Sequence, residues 1–154
     1  RVEQAIRACQ RLGRQAVVIG AGQQWTKLHR LADDHVQFLG AVSDASLREY
    51  YRRCRALLFP GEEDFGIVPV EAMACGCPVI AYGAGGALET VADPSAGMLY
   101  TPQTVDALIA AIERFEAQPN AFSEDRMTTW AGQFGRDRFL DRMRQVLDGA
   151  SSGV

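Results

Sequence analysis

Four short apolar runs, Ala16 to Ile19, Val36 to Leu39, Ala56 to Phe59 and Pro78 to Ala81, are separated by stretches of helical periodicity. Such alternation is the signature of βαβ units, in which a parallel sheet is covered on both faces by helices. A weaker strand is expected over Met98 to Tyr100, and helices over Gln24–Ala32, Asp44–Cys54, Val68–Cys75 and a short Ala87–Ala92. The expected fold is therefore α/β, a Rossmann-like parallel sheet, followed by C-terminal helices.

Helical spacing also governs both ends. Val2, Ala5, Ile6, Cys9 and Leu12 mark one face, with Gly13 as the stop, and neither a cap nor a strand precedes them. We expect residues 1–154 to form one domain that begins inside a helix, with its first strand lying upstream. Val105, Leu108, Ile109 and Ile112 line another helix, Pro119 interrupts, and Phe139, Leu140, Met143, Val146 and Leu147 mark the apolar face of a last one. Ser151 to Val154 are expected to fray. Ser43 is the expected N-cap if the third helix starts at Asp44; Ser46 and Glu49 have capping-box spacing as the alternative.

The charge pattern excludes a nucleic-acid partner, because the net charge is −3 and Lys27 is the only lysine. Arg52, Arg53 and Arg55 read as a solvated face, although an Arg-rich helix from Arg48 to Arg55 could touch anionic lipid in a longer parent protein. No signal peptide opens the chain and no apolar run approaches the ~18 residues that span a bilayer, so a cytoplasmic location is expected. Cys9, Cys54, Cys75 and Cys77 fit neither a CxxC nor a zinc pattern and read as small buried hydrophobes. His29 and His35 lie apart, and no metal site is expected.

Ligands of open parallel sheets bind beyond the carboxyl ends of the strands. Three loops fall there. Gly20-Ala21-Gly22 is a tight turn or a close backbone approach, and Gly40-Ala41-Val42-Ser43 is either a plain turn or a seat for a flat base. The third loop, EDFGIVPVE from Glu63 to Glu71, opens a helix near Val68 with Pro69 in its first turn. Free amides at such a helix start attract phosphate. Carboxylates at Glu63 and Glu71 repel phosphate but accept from hydroxyls, so the pattern suits a ligand with phosphates in the middle and hydroxyl-rich groups on either side. Placed in the first helical turn, Glu71 would also be favourable without any ligand, and the two readings stand level.

FPGEEDFGIVPVEAMACGCPVIAYGAGGALETV, from Phe59 to Val91, resembles the signature of retaining GT-B glycosyltransferases of family 4, whose E-x7-E motif is matched by Glu63 and Glu71. VVIGAG at Val17 to Gly22 and VQFLGAVSDASLREYYRRCRALLFP at Val36 to Pro60 resemble the preceding family elements in order and spacing. The likeness runs well from Arg1 to Tyr100. It implies the C-terminal, donor-binding half of a GT-B fold acting on a nucleotide-diphosphate sugar. Glu63 would be the catalytic contact to the transferred sugar, and Glu71 would bind the ribose hydroxyls. The backbone of Phe65, Gly66, Ile67 and Val68 would hold the diphosphate, Gly40, Ala41 and Val42 would lie against the base, and Gly85 and Gly86 would shape the cleft. Glu89 would be structural.

The resemblance further implies retention of anomeric configuration without metal or other cofactor, the departing phosphate assisting deprotonation of the acceptor. The wording is similar to that of bacterial mannosyl- and other hexosyltransferases that build surface polysaccharides, which implies a glycan or lipid-linked acceptor and a place at the inner membrane face. It also shows what is missing. The family's Arg and Lys ahead of the first helix and its N-terminal acceptor domain have no counterpart, so the isolated chain is expected to bind donor weakly and to transfer nothing. Two alternatives remain: a non-catalytic nucleotide-sugar-binding module, and a sugar-nucleotide epimerase of the same architecture. A redox dinucleotide site is disfavoured because Gly20-Ala21-Gly22 lacks the third glycine of GxGxxG.

Overall fold

The computed structural model describes residues 1–118 and 120–151, with the side chains of 150 and 151 set aside. The reading of Pro119 and that of the final residues 152–154 lie outside the described residues. In chain order the elements are α1 Val2–Leu12, β1 Ala16–Ile19, α2 Trp25–Leu31, β2 Val36–Gly40, α3 Asp44–Arg53 and β3 Leu57–Phe59. There follow α4 Ile67–Ala74, β4 Val79–Tyr82, α5 Ala87–Thr90, β5 Gly97–Tyr100, α6 Val105–Glu116, α7 Glu124–Ala131, a 3-10 turn Gly132–Phe134 and α8 Arg136–Ser151. All five expected strands form, each within about two residues of the expected bounds.

The strands pair in parallel, but as two sheets: β1 with β2, and β3-β4-β5. β4 is the middle strand of the larger sheet and its Val79, Ile80 and Ala81 are buried. Apolarity on both faces is what a covered parallel strand requires. β1 pairs only with β2 among the described residues, and Val17 on it is 45% exposed. Helix α1 packs against both α2 and α6, joining the two groups of strands.

Two clusters form the core. One gathers Ala72, Met73, Val79, Ala81, Val91, Met127 and Ala131 around α4, β4 and α7. The other sets Ala8, Ile80, Tyr100, Leu108 and Ile112 between α1, the sheet and α6. Side chains such as Met73, Ile80 and Leu108, all at most 1% exposed, contribute about 2 kcal/mol each.

Local chemistry sets the helix ends. The Ser43 hydroxyl accepts from the Ser46 amide at 3.2 Å, so Ser43 is the N-cap of α3 as its position before Asp44 predicts. Thr104 caps α6 in the same way. Arg52 and Arg53 pair with Glu49 on the exposed side of α3, and Arg55 reaches Glu116, so these arginines form a solvated, ion-paired face.

Glu116, at the end of α6, also accepts from Arg14 through both carboxylate oxygens. The Arg14 hydrogen bonds hold its carboxyl below the ordinary value of 4.5. A depressed carboxylate stabilises the fold above its unfolded value and loses that contribution as pH falls through the folded one. Glu116→Gln should therefore lower stability near neutrality, by less than about 1 kcal/mol because the pair lies at the surface, and should leave it unchanged below the acid transition. Urea melts of both proteins across pH 3–7, on the order of half-unit steps, would show it.

One expectation needs correction. Cys9 and Cys77 are buried and Cys75 is half-buried, but Cys54, the C-cap of α3, is exposed. The apolar face of α8 is also exposed, with Phe139 at 60%, Met143 at 42%, Val146 at 65% and Leu147 at 60%. Its periodicity is that of a packed helix, yet α8 follows the 3-10 turn away from both core clusters.

Candidate functional site

The loop between β3 and α4 is held from three directions. Its first residues follow Phe59 and Pro60, which are buried, and the Pro60 carbonyl accepts from the Gln103 amide at 2.9 Å. Its middle lies against Gly85 and Gly86: the Gly86 amide donates to the Glu63 carbonyl at 2.7 Å. A Cβ on Gly85 would stand 2.5 Å from that same carbonyl, and one on Gly86 would collide with the Phe65 backbone. Only glycine permits this approach.

Gly85 and Gly86 are in turn anchored by α5 and α7. The Thr90 hydroxyl donates to the Gly86 carbonyl at 2.9 Å, and the Trp130 indole donates to the Thr90 carbonyl at 2.8 Å. From the same side, Phe134 meets the Phe65 ring edge-on at 5.9 Å and Trp130 at 5.7 Å. Gln103, Trp130 and Phe134 therefore shape the loop although no motif marks them, together with Thr90 near the end of the Phe59–Val91 stretch.

Gly66, in the left-handed region at φ 80°, turns the chain into α4, and Pro69 is buried in the first turn. The amides of Phe65, Gly66, Ile67 and Val68 donate to no main-chain carbonyl among the described residues. Free amides at a helix start, together with the helix dipole, are groups to which an anion is attracted. Around them Phe65, Ile67, Val68 and Leu88 are exposed by 45%, 63%, 39% and 54%, an apolar rim.

Both glutamates are exposed, and neither makes a side-chain hydrogen bond or ion pair among the described residues. Glu63 lies on the loop as expected. Glu71 does not lie in the first turn, because α4 begins at Ile67 and carries no acidic residue in that turn. The helix start comes one residue early because Gly66 supplies the left-handed turn. Glu71 instead occupies the second turn, on the side of α3: the Tyr51 hydroxyl is pushed up to about 12 by burial and then by the charge of Glu71.

The two glycine loops at the ends of β1 and β2 meet each other. Gly20 donates to the Gly40 carbonyl at 2.7 Å, and Gly40, at φ 66°, is the last residue of β2. Ala41 is exposed, Val42 is half-buried, and Ser43 caps the helix that follows. Trp25 lies 4.0 Å from the position of a Gly40 Cβ. Every expected site segment thus follows the carboxyl end of a parallel strand.

The family model for glycosyl transferases group 1 matches residues 1–130. The chain belongs to this family. Over 117 residues it is 36% identical to alpha-1,3/1,6-mannosyltransferase ALG2 of Mus musculus, covering 73% of the chain and 28% of that relative. Sucrose-phosphate synthase from Thermosynechococcus elongatus superposes with a TM-score of 0.82 at 26% identity, over 99% of this chain and 43% of that one. Anabaena Alr3699/HepE in complex with UDP-glucose gives 0.72 at 29% identity, over 88% and 41%. The chain spans about a quarter of the curated relative and about two fifths of each solved structure. The architecture is that of GT-B glycosyltransferases, parallel sheets flanked by helices.

Proposed function

We propose that this chain is the donor-binding domain of a retaining glycosyltransferase of family 4, moving a hexose such as mannose from a nucleotide-diphosphate sugar to a glycan or lipid-linked acceptor. The observation that carries the reading is the run of four unused amides from Phe65 to Val68, flanked by two carboxylates that the fold does not use. The amides supply donors for a diphosphate. Glu63 accepts from hydroxyls of the transferred sugar, and Glu71 from the ribose. Gly40, Ala41 and Val42 receive the base, and Gly85 and Gly86 fix the loop that carries Glu63.

In the reaction, the bond between the anomeric carbon and the diphosphate oxygen breaks while the acceptor oxygen bonds to the same face. The acceptor proton passes to the departing phosphate. No protein nucleophile is required, and the fixed amides stabilise the charge growing on the diphosphate. They do so without a metal, so chelators should leave the rate unchanged. The complex of the Anabaena neighbour with UDP-glucose supports the ligand class.

A longer polypeptide would complete the site. In the doubly wound order a strand ahead of α1 stands between β1 and β3, and the division of the strands into two sheets supports that placement. With the acceptor domain, that segment would supply the cations that neutralise the diphosphate. Among the described residues no helix is long and apolar enough to cross a membrane, and contact with the inner membrane face would be peripheral.

Calorimetry with UDP-, GDP- and ADP-sugars tests this reading. The longer polypeptide should bind one donor class saturably and transfer its sugar, while residues 1–154 alone bind it weakly and transfer nothing. Turnover by the isolated chain, or no donor binding by the longer one, would overturn the proposal.

A further inference from the structure

The fold brings two cysteines, 23 positions apart in sequence, to a separation of 3.1 Å between their sulfur atoms. Cys54 ends α3, with its amide bonded to the Tyr50 carbonyl at 2.9 Å. Cys77 precedes β4, with its amide bonded to the Ala72 carbonyl at 2.9 Å. Both backbones are therefore pinned by the fold. A disulfide needs sulfurs about 2.05 Å apart, so closing the gap takes about 1 Å of side-chain movement.

We propose that Cys54 and Cys77 form a reversible disulfide, a redox modification that ties the end of α3 to the start of β4. The two thiols are not equivalent. Cys54 is exposed and Cys77 is 1% exposed, so a soluble oxidant reaches Cys54 first. Their hydrogen bond favours the same order: it draws the Cys54 thiol below its ordinary value and, with burial, pushes that of Cys77 up. Cys54 is thus the more readily deprotonated of the two sulfurs, and the thiolate is the attacking species.

With glutathione disulfide as oxidant, the Cys54 thiolate attacks one glutathione sulfur, forming a mixed disulfide and releasing a glutathione thiolate. Cys77 gives up its proton to that thiolate and attacks the Cys54 sulfur, releasing the second glutathione. One disulfide is broken and one formed. The two cysteines lose two electrons and two protons, which leave on two glutathione thiols. The pair lies where α3 ends, whereas Ser43 and the base-side loop lie where it begins. The pair therefore stands apart from the base-side loop, while on the other side the Tyr51 hydroxyl feels Glu71 as well as Cys54 and Cys77.

The test is equilibration of residues 1–154 in glutathione redox buffers, followed by alkylation, intact mass and non-reducing peptide mapping. The expected product has lost two hydrogens, about 2 Da, carries a Cys54–Cys77 crosslinked peptide and returns to four free thiols with dithiothreitol. Its thermal midpoint should exceed that of the reduced protein, since the crosslink restricts the unfolded chain. C77S should instead accumulate a stable glutathione adduct on Cys54. The proposal is overturned if the wild-type chain ends with glutathione on Cys54, keeps both thiols free at oxidising poise, or crosslinks through Cys75 or Cys9. The wild-type measurement needs no variant to fold.

Discussion

Gly86→Ala is expected to destabilise the chain and displace the loop that carries Glu63, although the backbone at this position suits alanine. Gly86 has φ −63° and ψ −17°, an ordinary right-handed conformation. On conformational entropy alone the change would stabilise by about 0.4–1 kcal/mol. Sterics oppose it: the new methyl would sit 2.5 Å from the Phe65 Cα and 2.6 Å from the Asp64 carbonyl oxygen. These are backbone atoms, so no rotamer change relieves the clash. The loop must move, at a cost of about 1–3 kcal/mol, and the bond from the Gly86 amide to the Glu63 carbonyl is strained with it. The net expectation is a thermal midpoint lower by several degrees and a large loss of donor affinity in the longer polypeptide.

Gly132→Ala is the matched control, with a φ of −58° and nothing within 4 Å of the added carbon. It should be neutral or slightly stabilising. Equal effects of the two substitutions would refute the argument that the Gly85-Gly86 contact shapes the site.

The same contact explains what could be read in the sequence and what could not. Strands β1 to β5 were legible because a covered parallel strand needs a continuous apolar run, and such runs stand out between helical periods. Ser43 was legible as a cap because capping depends on one hydroxyl and a few neighbouring amides. Glu63 and the amides after it were legible because their chemistry is local to one loop. The roles of Gln103, Thr90, Trp130 and Phe134 were not, since Gln103 acts on that loop from 43 residues away and Phe134 from further still, by hydrogen bonds and ring contacts that only the fold creates. Cys54 and Cys77 were hidden for the same reason: spacing of 23 residues says nothing until the fold brings the end of α3 to the residues before β4. The last helix was legible but the exposure of its apolar face was not, because periodicity reports which side is apolar and not what covers it.

Glu71→Gln and Glu63→Gln should separate binding from transfer. Glu71 sits in the second turn of α4, beyond the reach of the first-turn dipole benefit, and makes no hydrogen bond or ion pair among the described residues. Replacement by glutamine keeps its size and helix propensity, so stability should change by less than about 0.5 kcal/mol. Tyr51 supplies an independent readout: with the negative charge removed its hydroxyl should titrate lower than about 12, while burial, the larger cause, keeps it raised.

Hydrogen bonds to a charged acceptor contribute about 1.5–3 kcal/mol, so losing those to the ribose should weaken donor binding by about 10- to 100-fold. Glu63 has a different expected effect. If it contacts the sugar where charge develops, Glu63→Gln should leave donor affinity nearly intact and reduce kcat by about 10²- to 10³-fold, the usual loss for one fixed electrostatic contact. Both measurements belong in the longer polypeptide, by calorimetry for affinity and single-turnover kinetics for transfer. Glu71→Gln with unchanged affinity would remove the ribose role, and Glu63→Gln with an unchanged rate would leave the loop as a phosphate seat only.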